Sequence, residues 1–265
     1  MRKELALIIL TGVLLCSCYT PKIKILGHGG MGYSNFYPMD SEKSIIKCLR
    51  SGAAGVEIDV QMTKDSVLVC FHDFELDSKT KAEGPVNAYT YKSISDLVVR
   101  NYLVFGYPII ALDSLLSGIK NVKDFYYTFD CKLKSANDQT DAYYNAYINC
   151  LINTIKRFDL QNNVYIESQN EKFLVLIQKQ NPELKLFIYP ESFEKGFEIA
   201  NKNGFWGITI SLNKITLEQI DLAKKNNLKV AVWNVNTKKK NREAIMKNPD
   251  CIQTDRVKHI LKLLD

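Results

Sequence analysis

The chain has 265 residues, of which 46% are hydrophobic and 24% charged, and its formal net charge is +6. This is ample for a buried core, and it fits one large α/β domain or two small ones. The basic residues are scattered, and the short run Lys238-Lys239-Lys240 indicates a solvated helix start. The composition therefore excludes a nucleic-acid footprint, although a mild positive balance suits an anionic substrate.

The first predicted element is an export signal. Arg2-Lys3 precedes an apolar run from residue 5 to residue 15. A membrane span needs ~20 apolar residues, so this run is too short to be one. It ends in Leu15-Cys16-Ser17-Cys18, which resembles a bacterial lipoprotein box with Cys18 as the lipidated residue. Cys16 fits less well, because a bulky leucine would then stand directly before it.

Residues 1–18 are thus predicted to be a signal peptide with a lipoprotein box. The mature protein is expected to be exported and lipid-anchored to the bacterial cell envelope, in the periplasm or on a membrane surface. An ordinary cleaved signal without a lipid is the alternative.

Five cysteines follow the predicted signal: Cys48, Cys70, Cys131, Cys150 and Cys251. They are odd in number and have no Cys-x-x-Cys spacing. This pattern predicts mainly small core residues, although a disulfide stays possible outside the cytoplasm. Without a cysteine pair, and with the histidines far apart, a zinc site is not expected.

Predicted strands alternate with predicted amphipathic helices along the rest of the chain. Ser41, Asn170 and Thr216 are predicted N-caps. The strands are predicted at 23–28, 55–60, 67–72, 125–133, 164–168, 185–189, 207–211 and 229–235. The helices are predicted at 41–51, 110–120, 141–157, 170–180, 193–203, 214–226, 240–248 and 256–264.

Alternation of this kind predicts a parallel sheet, and eight strands predict an α/β fold of the closed (β/α)8 type, the TIM barrel. Residues 19–265 would form this single domain. A doubly wound open sheet is the alternative, but no Gly-rich phosphate fingerprint follows the first strand.

Two places interrupt the alternation. Residues 61–66 are too few for a crossover helix, so either an extended segment returns the chain or Lys64-Asp65-Ser66 turns a hairpin. Residues 73–109 form a small insertion after the third predicted strand. We expect this insertion to supply one wall of a pocket, because loops after barrel strands carry function.

Paired carboxylates mark the second predicted strand. Glu57 and Asp59 alternate with apolar residues at 56, 58 and 60, so both point to one face. Two carboxylates that point the same way repel each other, which suits a hard divalent cation better than a core. An exposed acidic edge is the plainer interpretation.

Other polar residues end the neighbouring strands. His28 and His72 terminate the first and third predicted strands, and Asp130 and Lys132 share a face on the fourth. Alone, the last two would indicate an ion pair. Glu167, at the end of the fifth predicted strand, is a weaker candidate for the pocket.

In this order the motifs resemble the glycerophosphodiester phosphodiesterase family. The family pattern is His-Arg-Gly after strand one, Glu-x-Asp on strand two, His-Asp after strand three, and an acidic residue two before a lysine on strand four. The matching stretches here are His28-Gly29-Gly30, Glu57-Ile58-Asp59, His72-Asp73 and Asp130-Cys131-Lys132. The resemblance extends over essentially the whole mature chain, and it includes Val232-Trp233-Asn234-Val235-Asn236 and Ile252-Gln253-Thr254-Asp255-Arg256.

The resemblance implies a metal-dependent phosphodiesterase that hydrolyses glycerophosphodiesters to an alcohol and glycerol phosphate. One Ca²⁺ or Mg²⁺ would be the cofactor, and the histidines would act as general base and general acid, in either order. The implied site residues are His28 and His72 for catalysis, Glu57, Asp59 and Asp130 for the metal, and Lys132 and Trp233 for the substrate. Trp233 could equally be a core residue, and Asp73 could orient the His72 loop.

The chain departs from the family pattern in three places. Gly29 replaces an arginine that is expected to hold the phosphate, Pro38-Met39-Asp40-Ser41 replaces Pro-Glu-Asn-Thr, and Asp130 replaces a glutamate. These departures keep two alternatives open. One is a non-catalytic lipoprotein that binds a phosphorylated head group, and the other is an enzyme similar to lysophospholipase D or sphingomyelinase D.

Overall fold

The structure is a computed structural model, and it describes residues 23–34, 36–101, 104–133 and 141–265. The predicted signal and its lipoprotein box, Cys18 included, lie outside these residues. Across the described ranges, every helix is too short or too polar to cross a membrane.

Strands and helices alternate through most of the described chain. The strands are β1 (Lys24–Gly27), β2 (Gly55–Met62), β3 (Leu68–Cys70), β4 (Val98–Asn101), β5 (Val104–Pro108), β6 (Ile110–Ala111), β7 (Tyr126–Cys131), β8 (Val164–Ser168), β9 (Lys185–Ile188), β10 (Gly207–Ser211), β11 (Lys229–Val235) and β12 (Cys251–Thr254). The helices are α1 (Glu42–Leu49), α2 (Tyr91–Ile94), α3 (Leu112–Gly118), α4 (Asp141–Arg157), α5 (Glu171–Gln180), α6 (Phe193–Asn203), α7 (Leu217–Lys225), α8 (Lys238–Lys247) and α9 (Val257–Leu264).

Parallel strands close into a barrel in the order β1, β2, β7, β8, β9, β10, β11 and β12, with β12 paired to β1. A helix lies between successive barrel strands, and α9 follows the last one. The predicted (β/α)8 fold is therefore confirmed. All eight residues of β2 are buried, as expected for a strand whose two faces meet the barrel interior and the helices.

The predicted N-caps are also confirmed. The side chains of Ser41, Asn170 and Thr216 accept backbone N–H bonds at the starts of α1, α5 and α7, and Thr216 forms a capping box with Gln219. These bonds satisfy donors that the first helical turn leaves free.

Two strand predictions were wrong. The predicted third barrel strand, 67–72, contains β3, which pairs antiparallel with β2 and lies outside the barrel. The true eighth barrel strand is β12, which was not predicted. Of the alternatives for residues 61–66 the hairpin is correct, and Ser66 closes it with a left-handed φ of 62°.

The insertion after β3 has a small core of its own. Its buried residues are Val69, Phe71, Leu76, Val86, Ile94, Val99 and Ile109. β4 and β5 form a separate antiparallel pair within it. The hydroxyl of Tyr107 donates to the carbonyl of Met39 at 3.1 Å, which ties the insertion to the loop between β1 and α1.

The five described cysteines are all free thiols, and four of them are buried: Cys48, Cys70, Cys131 and Cys251. The prediction of small core residues is confirmed for these four.

Candidate active site

A cleft of about 850 Å³ opens at the carboxyl ends of the barrel strands. This is the end of a TIM barrel at which active sites lie. Every predicted site residue of the barrel lines the cleft, namely His28, Glu57, Asp59, His72, Asp130, Lys132 and Trp233.

Strand register places the carboxylates side by side. Asp59 on β2 is aligned with Asp130 on β7, which in turn is aligned with Glu167 on β8. Glu57 lies two residues before Asp59 and shares its face. All four side chains are buried. Oxygens of Glu57, Asp130 and Glu167 lie within 4.8 Å of one another, so these three could share one cation.

Lys132 forms an ion pair with Asp59, the buried carboxylate outside this group of three. Its Nζ lies 2.8 Å from Asp59 Oδ1 and 2.5 Å from Asp130 Oδ2. Asp59 Oδ2 is buried and has no hydrogen-bond partner among the described residues. Thus the predicted ligands Glu57 and Asp130 belong to the compact cluster, whereas Asp59 faces an ammonium group and has one unpaired oxygen.

Burial and mutual repulsion raise the pKa of several of these acids. Burial raises the pKa of Glu57 well above its usual range, and the charges of Asp59 and Glu167 add to the effect. Burial and Asp130 raise the pKa of Glu167 to about 8. Excess negative charge in a buried site is relieved by a cation, so these residues suit a divalent metal.

Asp59 differs from its neighbours in this respect. Burial alone would raise its pKa, but the positive charges of Lys132 and His72 lower it to about 2. Asp59 is therefore the most readily ionised of the four buried carboxylates.

Glu167 was only a weaker candidate in the sequence, although it belongs to the acidic cluster. Thr209 Oγ1 and Gln253 Nε2 both donate to Glu167 Oε2, at 2.7 Å and 3.0 Å. These donors come from β10 and β12 and fix the orientation of the carboxylate. Its position at the end of a predicted strand was the available signal.

His28 is held by an acid from the far end of the chain. Its Nδ1 lies 2.7 Å from Asp255 Oδ1, and its Nε2 lies 4.0 Å from Glu57 Oε2. Burial lowers the pKa of His28, but the hydrogen bond and charge of Asp255 outweigh this, so the net pKa is raised. Asp255 had no predicted role, because it follows the unpredicted strand β12.

His72 is held by its neighbour. His72 Nδ1 lies 2.6 Å from Asp73 Oδ1, and Ser78 Oγ donates to Asp73 Oδ2 at 2.6 Å. Lys79 Nζ lies 3.2 Å from the same carboxylate. Both histidines therefore have Nδ1 on a carboxylate, which leaves Nε2 for chemistry.

Gln61 fixes the backbone on both sides of His72. Its buried amide donates to the carbonyls of Phe71 and Asp73, at 2.7 Å and 2.8 Å. Gln61 shares a face of β2 with Glu57 and Asp59, so the same strand that carries the acids also positions the second histidine. Sequence reasoning assigned Gln61 no role.

Aromatic rings form part of the cleft wall. Trp233 is half-buried, and its ring centroid lies 5.4 Å from that of Tyr189 at an interplanar angle of 64°. Both rings line the cleft. The structure thus places Trp233 in the wall of the predicted pocket.

Gly29 has no room for a side chain. Its φ is +54°, and a Cβ atom built there would lie 2.7 Å from Met39 Cβ. Its backbone N–H donates to Glu57 Oε2 at 2.8 Å. Met39 therefore fills the space beside the position at which the family pattern has an arginine.

The chain is similar to known proteins of one family. The model of the Glycerophosphoryl diester phosphodiesterase family matches residues 31–259. A glycerophosphodiester phosphodiesterase of Caldanaerobacter subterraneus is 26% identical over 246 residues, which cover 92% of this chain and 98% of that protein. A second one, from Bacillus altitudinis, is 39% identical over 71 residues, or 27% of this chain and 28% of that protein.

Solved structures share the fold. A putative glycerophosphoryl diester phosphodiesterase from Silicibacter pomeroyi has a TM-score of 0.80 at 20% identity, covering 91% of this chain and 94% of that one. A phosphodiesterase from Oleispira antarctica, solved with its product sn-glycerol-3-phosphate, has a TM-score of 0.77 at 18% identity, covering 91% and 96%.

Proposed function

The chain belongs to the glycerophosphoryl diester phosphodiesterase family, and we propose that it hydrolyses glycerophosphodiesters to an alcohol and glycerol phosphate with one divalent cation. One observation carries the proposal. The cleft combines two histidines, each with Nδ1 on a carboxylate, with a buried cluster of acids.

Glu57, Asp130 and Glu167 would hold the cation, and the unpaired oxygen of Asp59 is a further donor. Carboxylate oxygens are the ligands that Ca²⁺ and Mg²⁺ prefer. A bound divalent ion would neutralise charge on the phosphoryl oxygens. Lys132, which lies between Asp59 and Asp130 and lines the cleft, would supply an ammonium group for a phosphate oxygen.

His28 and His72 would transfer the protons. One Nε2 takes a proton from the attacking oxygen, either water or a neighbouring substrate hydroxyl, as this oxygen bonds to phosphorus. The other Nε2 gives a proton to the leaving alcohol as its bond to phosphorus breaks. Asp255 and Asp73 keep each Nδ1–H oriented, which fixes the tautomer.

Turnover by residues 19–265 tests the proposal. Glycerophosphocholine, glycerophosphoethanolamine, glycerophosphoinositol and lysophosphatidylcholine would be incubated with Ca²⁺, with Mg²⁺ and with chelator. We expect release of glycerol phosphate from a glycerophosphodiester, and we expect the chelator to abolish it. Hydrolysis of lysophosphatidylcholine alone would move the assignment to a lysophospholipase D.

His28→Ala should lower kcat by about 100-fold or more while metal binding persists. His259→Ala, assayed with glycerophosphocholine, is the matched control, because His259 lies on α9 and does not line the cleft. Near-normal turnover by His28→Ala would contradict the catalytic role of His28. Metal binding by the unchanged protein without hydrolysis of any substrate would instead favour a non-catalytic protein that binds a phosphorylated head group.

We also propose that the protein is exported and attached to the cell envelope through a lipid on Cys18. The basic start, the short apolar run and the Leu-Cys-Ser-Cys stretch support this. Metabolic labelling with a fatty acid in a bacterial host should give a labelled membrane protein. Cys18→Ser should lose the label, whereas Cys16→Ser should keep it. The reverse pattern would contradict the choice of Cys18.

A further inference from the structure

A second cavity, of about 520 Å³, adjoins the active-site cleft. We call it the basic groove, and it is lined by Met31, Tyr33, Ser34, Phe36, Lys238, Asp255, Arg256, Val257, Lys258 and His259. Tyr33 and Asp255 line both cavities, and Asp255 also holds His28. A molecule bound at the catalytic histidines could therefore extend into the basic groove.

The basic groove has an excess of positive charge. Lys238, Arg256 and Lys258 are exposed, and none has a carboxylate within 4.0 Å in the described parts of the chain. The acid in the lining, Asp255, is buried and already bonded to His28. The ammonium and guanidinium groups are thus free for an external anion.

Arg256 is oriented by the neighbouring loop. Its Nε donates to the carbonyl of Asn236 at 3.2 Å, and Asn236 itself lines the cleft. This bond fixes the plane of the guanidinium and leaves its terminal nitrogens for a ligand. A planar fork of donors is the group best suited to a phosphate.

The helices at the groove have an unfavourable charge pattern. α8 starts with Lys238-Lys239-Lys240 and α9 follows Arg256, and neither helix has an acid in its first turn. Cations at a helix N-terminus oppose the helix dipole. The helices that come directly before β2, β7, β8, β9, β10 and β11 each have an acid there: Glu42, Asp113, Asp141, Glu171, Glu194 and Glu218.

His259 is affected by the same positive charges. Desolvation lowers its pKa, and the positive charges of Arg242 and Lys238 lower it further.

The groove also lies beyond β11 and β12, the seventh and eighth strands of the barrel. The loops after these strands are a frequent phosphate-binding place in TIM barrels.

We propose that the basic groove binds a second phosphate of the substrate, so that the enzyme prefers glycerophosphodiesters whose head group carries another phosphate. Lys238, Arg256 and Lys258 would contact this phosphate. The exposed rings of Tyr33 and Phe36 would flank the polyol that links it to the scissile bond. The inference rests on the proposed function and adds a substrate class to it.

Paired substrates test this specificity. Glycerophosphoinositol and glycerophosphoinositol 4-phosphate differ by one phosphate, and we expect kcat/KM to be about tenfold higher for the second. Glycerophosphoglycerol and its homologue with one more internal phosphodiester form a second pair. A preference in the first pair indicates a terminal phosphate, and a preference in the second pair an internal one.

Lys238→Ala/Lys258→Ala should abolish the preference and leave kcat/KM for the unphosphorylated substrates unchanged. Lys239→Ala/Lys262→Ala is the matched control, because it removes the same charge from the same two helices outside the groove. It should keep the preference. Rising salt should weaken the preference in the unchanged protein.

Equal kcat/KM within both pairs, or equal loss in both double variants, would overturn the inference while the proposed function stands. Failure to hydrolyse any substrate would count against the proposed function instead. Calorimetry would then compare inositol 1,4-bisphosphate with inositol 1-phosphate. Equal affinities for the two would overturn the basic groove as a phosphate site without any need for turnover.

Discussion

The two histidines of the cleft lie in different parts of the molecule. His28 follows a barrel strand, and its partner Asp255 comes from 227 residues along the chain. His72 follows a short antiparallel strand outside the barrel, and its partner is the next residue. The His28 side chain is 20% exposed and that of His72 is 45% exposed. Similar Nδ1–carboxylate pairs can thus arise from long-range packing or from local sequence.

The two histidines should therefore respond differently to mutation. The orientation of His28 depends on closure of the barrel between β1 and β12. The His28 ring should therefore be rigid, and single substitutions of its partner should have large effects. His72 sits on the insertion side, where solvent can replace lost contacts and where Gln61 supplies the link to the barrel.

The largest effect should come from Asp255→Asn. Loss of the carboxylate removes the charge that raises the pKa of His28, so this pKa should fall, and kcat/KM should drop by about 100-fold or more. If His28 is the general base, the acid limb of the pH–rate profile moves to lower pH. If it is the general acid, the alkaline limb does so. Asp221→Asn is the control, because Asp221 is exposed on α7. If neither limb moves in Asp255→Asn, the pairing of Asp255 with His28 is contradicted.

Gln61→Leu should have an intermediate effect. It leaves the carbonyls of Phe71 and Asp73 without their donor, which should lower the free energy of unfolding by about 1–3 kcal/mol. Movement of the His72 backbone should lower kcat about tenfold, with little change in metal affinity. Chemical denaturation measures the free energy of unfolding, and steady-state kinetics measures kcat. Gln161→Leu, in a loop away from the cleft, should change neither stability nor kcat. An unaltered kcat in Gln61→Leu would mean that His72 does not need the hydrogen bonds of Gln61.

Asp73→Asn should have a smaller effect than Asp255→Asn. The Asp73–His72 pair is accessible to water, which screens its charge and can replace its hydrogen bond. We expect about a fivefold loss of kcat/KM or less. A loss of kcat/KM as large as that of Asp255→Asn would contradict the predicted difference between the two histidines.

Hydrogen exchange should show the contrast without any mutation. The insertion has a small separate core and an isolated two-stranded sheet, whereas β8 is buried between two barrel strands. Amides of β4 should therefore exchange faster than those of β8, because local opening costs less there. Equal protection would indicate that the insertion opens only with the barrel.

Local patterns predicted much of the site. Alternation with period two placed Glu57 and Asp59 on one face, and it did the same for Asp130 and Lys132. These relations lie within single strands, so they are readable from neighbouring residues. The barrel followed from the alternation of elements, which is also a local signal repeated along the chain.

The errors have equally physical causes. β3 has the same buried apolar pattern as a barrel strand, and nothing local tells an antiparallel return from a parallel one. β12 is short, and its buried Gln253 and Thr254 hide it from an apolar pattern. The contact of Asp255 with His28 and that of Gln253 with Glu167 depend on this strand, so they could not be found without it.

The position of β1 determines which end of the barrel lies next to the predicted lipid anchor. β1 starts at Lys24 at the amino end of the barrel, and the cleft opens at the opposite, carboxyl end. If Cys18 carries the proposed lipid, the six residues from there to Lys24 can span at most about 20 Å. The lipid anchor and the cleft would then lie at opposite ends of the barrel. Such an enzyme would sample diesters that diffuse past in the aqueous phase, not lipids of the leaflet beneath it.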